Sequence, residues 1–207
     1  MSSYLPSNVS STLFARTSRH FSTKTPGSTS GVGILAWYSR MLETNPIPTK
    51  ALSAGTIAGL GDLNCQYLDA YRKGTKCEYD AARTCRFAFL GFFLIAPVTH
   101  NWYNFLMTQI PGSGALAIAK RVLLDQLIFA PLFIPAFFIS VKTLEGSTLS
   151  SSISELKNVF LDMYTTNLFL WVPASTINFA FVPQKFMVLF GNCVGLIWNT
   201  YVSFKSN

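Results

Sequence analysis

The chain has 207 residues, of which 50% are hydrophobic and only 12% are charged, and its mean hydropathy is +0.34. An ordinary soluble domain carries about twice that charged fraction. No Asp, Glu, Lys or Arg occurs between Arg86 and Lys120, and after Met163 only Lys185 and Lys205 are charged. The net charge of +7 comes from bases at segment ends and in short connectors, so no nucleic-acid partner is expected. The composition excludes a soluble enzyme and predicts a polytopic membrane protein.

The N-terminal segment has the composition of an organellar presequence. It is rich in Ser and Thr, contains Arg16 and Arg19, and has no acidic residue before Glu43. Residues 19–22, Arg-His-Phe-Ser, resemble a site cut by the mitochondrial processing peptidase. A secretory signal would need an apolar run of at least about seven residues, which is absent here. We predict a mitochondrial presequence at 1–21 and a flexible polar linker at 22–33; a plastid transit peptide and a plain polar tail are the alternatives.

The remaining chain, residues 34–205, is predicted to be a membrane helix bundle. Apolar residues between Ile34 and Leu42 have helical spacing and suit a short amphipathic helix at the membrane interface, which Pro46 ends. Hydrophobic windows follow at residues 51–68, 87–108, 122–141, 168–183 and 186–204. The last two form either a helical hairpin or one spanning helix and one tilted helix. The predicted fold is therefore all-α, a polytopic transmembrane helix bundle with four or five membrane helices.

Two polar connectors separate these windows. The segment from Asp69 to Arg86 is the most basic, and the positive-inside rule places it in the mitochondrial matrix. A presequence that leads the N-terminus into the matrix would place it on the opposite side, so both orientations stay open. The Ser/Thr-rich run from Gly146 to Ser154 predicts a second connector between two halves of the bundle.

Small and polar residues recur at helical spacing within the hydrophobic windows. On the first helix, Gly55, Gly59, Asp62 and Gln66 share one face, and its small end favours close approach of a neighbouring helix. Such stripes either bond across helix interfaces or line an aqueous path. The predicted pore-lining or helix-interface residues are Gly55, Gly59, Asp62, Gln66, His100, Asp125, Gln126 and Asn178.

Asp62 and Asp125 are acids within hydrophobic windows. Burial of an acid at the centre of a bilayer costs about 3 kcal/mol, so each needs a partner or water. Arg121 lies one helical turn before Asp125 and is the expected partner. We therefore expect Asp125 to be structural and Asp62 to affect conduction. Four prolines within the windows also remove backbone donors, as in the broken helices of transporters: Pro97, Pro131, Pro135 and Pro173.

The residues give little support for catalysis. No nucleophile elbow, phosphate loop or zinc-protease motif occurs, and His100 is the only histidine after the presequence. The chain is therefore predicted not to be an enzyme and to need no metal and no cofactor. The spacing of Cys77 and Cys85 permits a disulfide, but free thiols are the favoured interpretation.

A set of spaced residues runs through nearly all of the chain after the presequence. It includes Pro48-Thr49-Lys50, Gly59-Leu60-Gly61-Asp62 with Gln66, Asp80 with Arg83 and Arg86, Gly91, Pro97 and His100-Asn101-Trp102-Tyr103. It continues with Lys120, Asp125-Gln126, Pro131, Trp171, Asn178-Phe179, Val182-Pro183, Trp198 and Tyr201. With these residues the chain resembles, from about Trp37 to Ser203, the Mpv17 and peroxisomal membrane protein 22 family of small organellar membrane proteins. The chain departs from the family pattern at Ala96, Val172, Ser175 and Met187, where Gly, Trp, Gln and Arg are usual.

The resemblance implies a helical protein of the mitochondrial inner membrane or the peroxisomal membrane. The N-terminal segment favours mitochondria and leaves a plastid membrane as a further alternative. The resemblance also implies a pore or channel that affects membrane potential and the supply of matrix metabolites, and it carries no catalytic residues. We expect a weakly selective channel or transporter for small metabolites or ions, or else a non-conducting scaffold that docks to inner-membrane complexes. The expected partners are the lipid bilayer, the transported solutes, and either a second copy of the chain or an inner-membrane complex.

Overall fold

The structure is a computed structural model that describes residues 30–205, with the side chains of residues 33–198. The predicted presequence at 1–21 and most of the predicted linker lie outside the described residues. The first helix begins at Ser30, inside the predicted linker, and ends at Thr44, just before Pro46. A helix before this proline is therefore confirmed, although it is longer than expected.

All regular structure in the described part of the chain is helical, which confirms the all-α prediction. The α-helices are α1 Ser30–Thr44, α2 Pro46–Lys73, α3 Ala81–Leu90, α4 Ala96–Gln109, α5 Ala115–Leu124, α6 Ala130–Leu144, α7 Leu149–Phe181 and α8 Met187–Lys205. Two π-helical turns, Gly91–Ile95 and Asp125–Phe129, join α3 to α4 and α5 to α6, and a 3₁₀ turn covers Gln184–Phe186.

By length and composition, two of the described helical stretches can cross a membrane. They are Ala81–Gln109, with 29 residues, and Ala115–Leu144, with 30 residues. At about 1.5 Å per residue, each exceeds the roughly 30 Å of bilayer hydrocarbon. The remaining predicted windows coincide largely with α2, α7 and α8. The membrane-helix prediction is thus supported for two stretches, while the number of four or five stays a prediction.

The two π-helical turns share a position relative to proline. Each ends one residue before an Ala-Pro pair, at Ala96-Pro97 and at Ala130-Pro131. Proline has no backbone N–H and crowds the preceding turn, so a wider turn relieves the contact at this point. A π-helical turn therefore precedes each of Pro97 and Pro131, and the helical stretch continues through both prolines.

Helix α7 shortens the predicted second connector. It begins at Leu149 and has 33 residues, so residues 145–148 connect α6 to α7, and the rest of the polar run, residues 149–154, is helical. The Thr148 hydroxyl oxygen accepts a hydrogen bond from the Ser151 N–H and caps the first turn. A Ser/Thr-rich segment is a good helix start when its hydroxyls satisfy the free N–H groups, which explains why the connector is shorter than predicted.

The helix α2 crosses α3 and the first π-helical turn at very short range. A Cβ atom on Gly91 would lie 2.6 Å from the Ala54 carbonyl oxygen, and one on Gly55 would lie 3.0 Å from the Ala88 carbonyl oxygen. Gly59 faces Ala88 and Thr84 on the same contact. The prediction that small residues on α2 admit a neighbouring backbone is therefore confirmed.

The main apolar core lies where α4, α5, α7 and α8 meet. Its buried members are Tyr103, Leu106, Val122, Phe179, Met187 and Val188. Helix α8 also packs along α2, so the C-terminal helix closes the bundle against the first long one. Large apolar side chains point outward as well, including Phe169 at 85% and Phe181 at 81% exposure, as is usual where the solvent is lipid.

Candidate functional site

Three clusters of buried polar side chains lie between the helices and contain most of the predicted site residues. We name them the Asp62 cluster, the Asp125 cluster and the Lys50 cluster after the charged residue that each buries. All three of these residues are at most 5% exposed. Burial of charge is expensive in any protein interior, so the partners of each group decide what it does.

The Asp62 cluster joins α2 to the start of α3. Asp62 Oδ2 accepts hydrogen bonds from Gln66 Nε2 and from the Thr84 hydroxyl, both at 2.7 Å. Asp62 Oδ1 lies 2.7 Å from Arg83 Nε, a charge contact rather than an aligned hydrogen bond. Gln66 also exchanges hydrogen bonds with the Asp80 backbone, accepting from its N–H at 2.8 Å and donating to its carbonyl at 3.0 Å.

This arrangement places Asp62 and Gln66 in a helix interface. Asp80 is the N-cap of α3 and accepts from the Arg83 N–H at 2.9 Å, so the same residues cap the helix and hold it against α2. The carboxylate of Asp62 has a base, a hydroxyl and an amide as partners. Arg83 and Thr84 of α3 and Gln66 of α2 itself supply these partners, so the contacts of Asp62 lie within a helix interface.

The Asp125 cluster joins the second π-helical turn to α4 and α7. Asp125 Oδ1 accepts from Trp102 Nε1 at 2.9 Å, and Oδ2 accepts from the Ser175 hydroxyl at 2.6 Å. Gln126 Nε2 also donates to Oδ2 at 2.9 Å. The network continues from Gln126 Oε1 to Asn167 Nδ2 at 3.3 Å. Four of these five side chains are buried, and Trp102 is partly buried.

The expected ion pair between Arg121 and Asp125 is wrong. Arg121 is 1% exposed, and its guanidinium donates to backbone carbonyls instead, to Ile110 O at 2.6 and 3.2 Å and to Gly112 O at 2.7 Å. These carbonyls follow the end of α4, where helix geometry leaves oxygens without partners. Arg121 is a C-terminal cap of α4, and in the described part of the chain no base lies within ion-pair distance of Asp125.

The Lys50 cluster was missed by sequence reasoning, although His100 was singled out. Lys50 Nζ on α2 lies 2.9 Å from His100 Nδ1 on α4. The other ring nitrogen, Nε2, lies 3.1 Å from the Asn104 amide nitrogen, and Asn104 Oδ1 accepts from Gln184 Nε2 at 2.9 Å. In the sequence, a lysine at the start of a hydrophobic window looks like a charge that flanks a membrane helix and faces water. Its burial becomes visible only in the folded structure. The Pro48-Thr49-Lys50 match to the family pattern was the available signal.

Asn178, the remaining predicted site residue, lies on α7 beside the start of α8. It is 2% exposed, and its Nδ2 donates to the Met187 carbonyl at 3.4 Å, while its Oδ1 has no hydrogen-bond partner. Met187 is buried in the core, at a position where the family pattern has Arg. Lys185 does not replace that charge, because it binds Ser39 and Glu43 on α1 instead.

The Lys185–Glu43 pair fixes α1 to the 3₁₀ turn before α8. The two charged atoms lie 2.8 Å apart at the protein surface. The hydrogen bond and the charge of Lys185 hold the pKa of Glu43 below its usual value. Tyr38 reinforces the position of α1, because its hydroxyl lies 2.8 Å from the Ser53 hydroxyl on α2. The four cysteines are free thiols, with Cys77 and Cys85 both exposed.

Comparison with known proteins identifies relatives over most of the chain. The model of the Mpv17/PMP22 family matches residues 142–203. The peroxisomal membrane protein 2 of Bos taurus is 34% identical over 82% of this chain and 87% of its own length. The mitochondrial inner membrane protein Mpv17 of Danio rerio is 32% identical over 84% of this chain and 98% of its own length, and that of Homo sapiens 35% over 82% and 96%. No solved structure gives a significant match.

Proposed function

Because the chain belongs to the Mpv17/PMP22 family of organellar membrane proteins, we propose that it is a channel or transporter for small metabolites or ions. Its relatives are named as proteins of the mitochondrial inner membrane or the peroxisomal membrane, in agreement with the localisation predicted from the N-terminal segment. The inner membrane is the location that we adopt for this chain.

The observation that carries the proposal is the environment of Asp125. The residue is 4% exposed and lies in a predicted membrane helix. Its carboxyl group accepts hydrogen bonds from three neutral side chains, those of Trp102, Gln126 and Ser175. A structural acid in a bilayer is normally paired with a base, as Asp62 is with Arg83. An acid without a base is retained where a passing cation or proton supplies the balancing charge.

The position of Asp125 supports the same conclusion. It opens the π-helical turn that precedes Ala130-Pro131, where the backbone is wider than an α-helix. Such turns occur frequently at functional sites. Asn167 and Ser175 approach from α7, so polar groups of two helices converge in a region that is otherwise apolar.

Helix lengths are consistent with additional membrane crossings. Helices α2 and α7 have 28 and 33 residues and span about 42 and 50 Å, respectively, while α8 with 19 residues spans about 28 Å. Together with the two apolar stretches, these helices would give the proposed bundle four or five crossings.

The decisive experiment measures solute flux into vesicles that contain the purified protein. A panel of small metabolites and inorganic ions is tested with and without an imposed membrane potential. We expect flux above that of empty vesicles, and we expect Asp125→Asn to change the ratio of cation to anion flux. Glu145→Gln removes an exposed acid after α6 and serves as the charge-matched control. Flux equal to that of empty vesicles for every solute would contradict the proposal.

A second candidate is a non-conducting scaffold, and one surface favours it. A groove of about 510 Å³ lies between α1 and α2, with Trp37, Met41, Leu52, Ile57 and Leu189 among its lining residues. Its walls suit a helix of another membrane protein. Isolation of a stable complex of fixed stoichiometry, without flux, would favour the scaffold. The lack of enzymatic activity and the oligomeric state stay predictions.

A further inference from the structure

We infer that the Lys50 cluster is a binding site for a small anion that carries a carboxylate or phosphate group. This inference deepens the proposed function and rests on it, since it names the kind of solute, or the lipid headgroup, that the bundle would bind. It does not depend on Asp125, because the two clusters share no residue, although both include side chains of α4.

The first step is the charge of Lys50. The residue is 5% exposed, and among the described residues no carboxylate lies within 4.0 Å of its ammonium nitrogen. Two other described lysines form ion pairs with a carboxylate. Lys142 lies 2.8 Å from Glu155, and Lys185 lies 2.8 Å from Glu43. A buried ammonium group without a counter-charge destabilises the folded protein. A bound anion would supply the missing negative charge.

The second step is the number of free donors. A lysine ammonium group has three N–H donors and no acceptor, and His100 Nδ1 accepts one of them. The other two are available for oxygen atoms. Carboxylate and phosphate groups offer two or more oxygens and the negative charge, whereas a neutral ligand would leave the charge unbalanced.

The third step is the hydrogen-bonded chain that leads outward from Lys50. His100 Nδ1 lies 2.9 Å from Lys50 Nζ, and His100 Nε2 lies 3.1 Å from the Asn104 amide nitrogen. The Asn104 side-chain oxygen accepts from Gln184 Nε2 at 2.9 Å; Asn104 is partly buried and Gln184 is exposed. These polar side chains therefore extend from the buried ammonium group to the surface of the protein.

The experiment measures the thermal midpoint of the full-length protein in neutral detergent, at constant ionic strength, against rising concentrations of inorganic phosphate or succinate. A ligand of the folded state raises Tm in a saturable way. We expect both or one of these anions to do so for the unchanged protein. Lys50→Met should weaken the response at least about tenfold, which corresponds to about 1.4 kcal/mol. Lys142→Met, which removes an ion-paired lysine, should respond like the unchanged protein.

A second pair of variants covers the case in which Lys50→Met does not fold. Gln184→Glu places a carboxylate at the exposed end of the series of polar side chains that leads from Lys50, and it should weaken anion binding severalfold by charge repulsion. Gln109→Glu makes the same change at the exposed end of α4 and should have no effect. A third arm adds short-chain phosphatidylglycerol; a response to this lipid without a response to either free anion assigns the site to a lipid headgroup.

Two results would overturn the inference. One is an unchanged protein that responds to none of the three anions. The other is equal responses of the unchanged protein and of Lys50→Met, or of Gln184→Glu and Gln109→Glu where Lys50→Met is not folded. Because binding is measured without flux, a protein that transports solutes but binds no anion refutes this site alone. A protein that binds anions but transports nothing refutes the transport proposal alone.

Discussion

Arg121 donates to the carbonyl oxygen of Ile110 at 2.6 Å, and this contact places a buried base at the end of a helix instead of beside a buried acid. The two neighbouring charges on one helix, Arg121 and Asp125, therefore serve different partners. The guanidinium closes the turn between α4 and α5, and the carboxylate faces α4 and α7 through Trp102 and Ser175. Arg121 therefore has a structural contact at a helix end, whereas the proposed function rests on Asp125.

The first prediction tests this division. Arg121→Met removes hydrogen bonds to two backbone carbonyls and should lower the free energy of unfolding by about 2–3 kcal/mol. Lys120→Met, on the exposed side of the same helix, should change it by less than about 0.5 kcal/mol. Unfolding in mixed micelles measures both values. In a double-mutant cycle with Asp125→Asn, we expect a coupling below about 0.5 kcal/mol; a coupling of several kcal/mol would show an ion pair after all.

The second prediction concerns the close contact of α2 with the first π-helical turn. Gly91→Ala would place a methyl group 2.6 Å from the Ala54 carbonyl oxygen, and backbone atoms cannot move aside cheaply. We expect a loss of about 1–3 kcal/mol in the free energy of unfolding. Gly195→Ala is the matched control, since no atom lies within 4 Å of its new Cβ.

The control variant, Gly195→Ala, should itself change the stability slightly. Alanine favours a helix over glycine by up to about 1 kcal/mol, so Gly195→Ala should be neutral or stabilising. Equal stabilities for the two variants would mean that α2 and the π-helical turn do not pack as closely as described.

The third prediction follows from the lowered pKa of Glu43. A carboxyl group whose pKa is lower in the folded than in the unfolded chain stabilises the fold above the unfolded value, here 4.5. That contribution disappears as the pH falls through the folded pKa. The hydrogen-exchange protection of α1 should therefore decrease as the pH drops below about 4.5 in the unchanged protein. Glu43→Gln compared at each pH supplies the control, and an equal decrease in this variant would contradict the role of the pair.

How much of the site is predictable depends on whether its partners lie on one helix. The face that carries Gly55, Gly59 and Asp62 follows from helical spacing, because positions three and four apart share a side. The partners on other helices do not follow, so Arg121 was assigned to the nearest acid on its own helix. Its true acceptor, Ile110, exists only because α4 ends at Gln109 and leaves carbonyls free.

Lys50 illustrates the same limit in a different form. Its burial arises where α4 and α8 pack against α2, and the contact with His100 joins residues that are 50 positions apart in sequence. Charge at the start of a hydrophobic window has the same appearance whether the side chain reaches water or another helix. The π-helical turns were likewise missed, although both hydrophobic stretches contain the same Ala-Pro pair.

The last prediction concerns the two buried acids, Asp62 and Asp125; among the described residues, a base lies beside the first but not beside the second. Asp62→Asn leaves Arg83 without its counter-charge and should lower the free energy of unfolding by about 1–2 kcal/mol, a modest value because the Arg83 side chain is 39% exposed. Asp125→Asn strands no base, and the new amide can still accept from Trp102 and donate to the Ser175 oxygen. Its nitrogen can no longer accept from Gln126 Nε2, so we expect a loss of about 1–2 kcal/mol in the free energy of unfolding.

In flux measurements, Asp125→Asn is expected to change the ion selectivity and Asp62→Asn is not. Removal of the Asp125 charge should lower the preference for cations over anions, because that charge has no base to neutralise it in the described structure. Removal of the Asp62 charge should leave the preference unchanged in the protein that still folds, because Arg83 already balances it. Altered selectivity in Asp62→Asn with unaltered selectivity in Asp125→Asn would show that the conducting path follows α2, and the Asp125 cluster would then be purely structural.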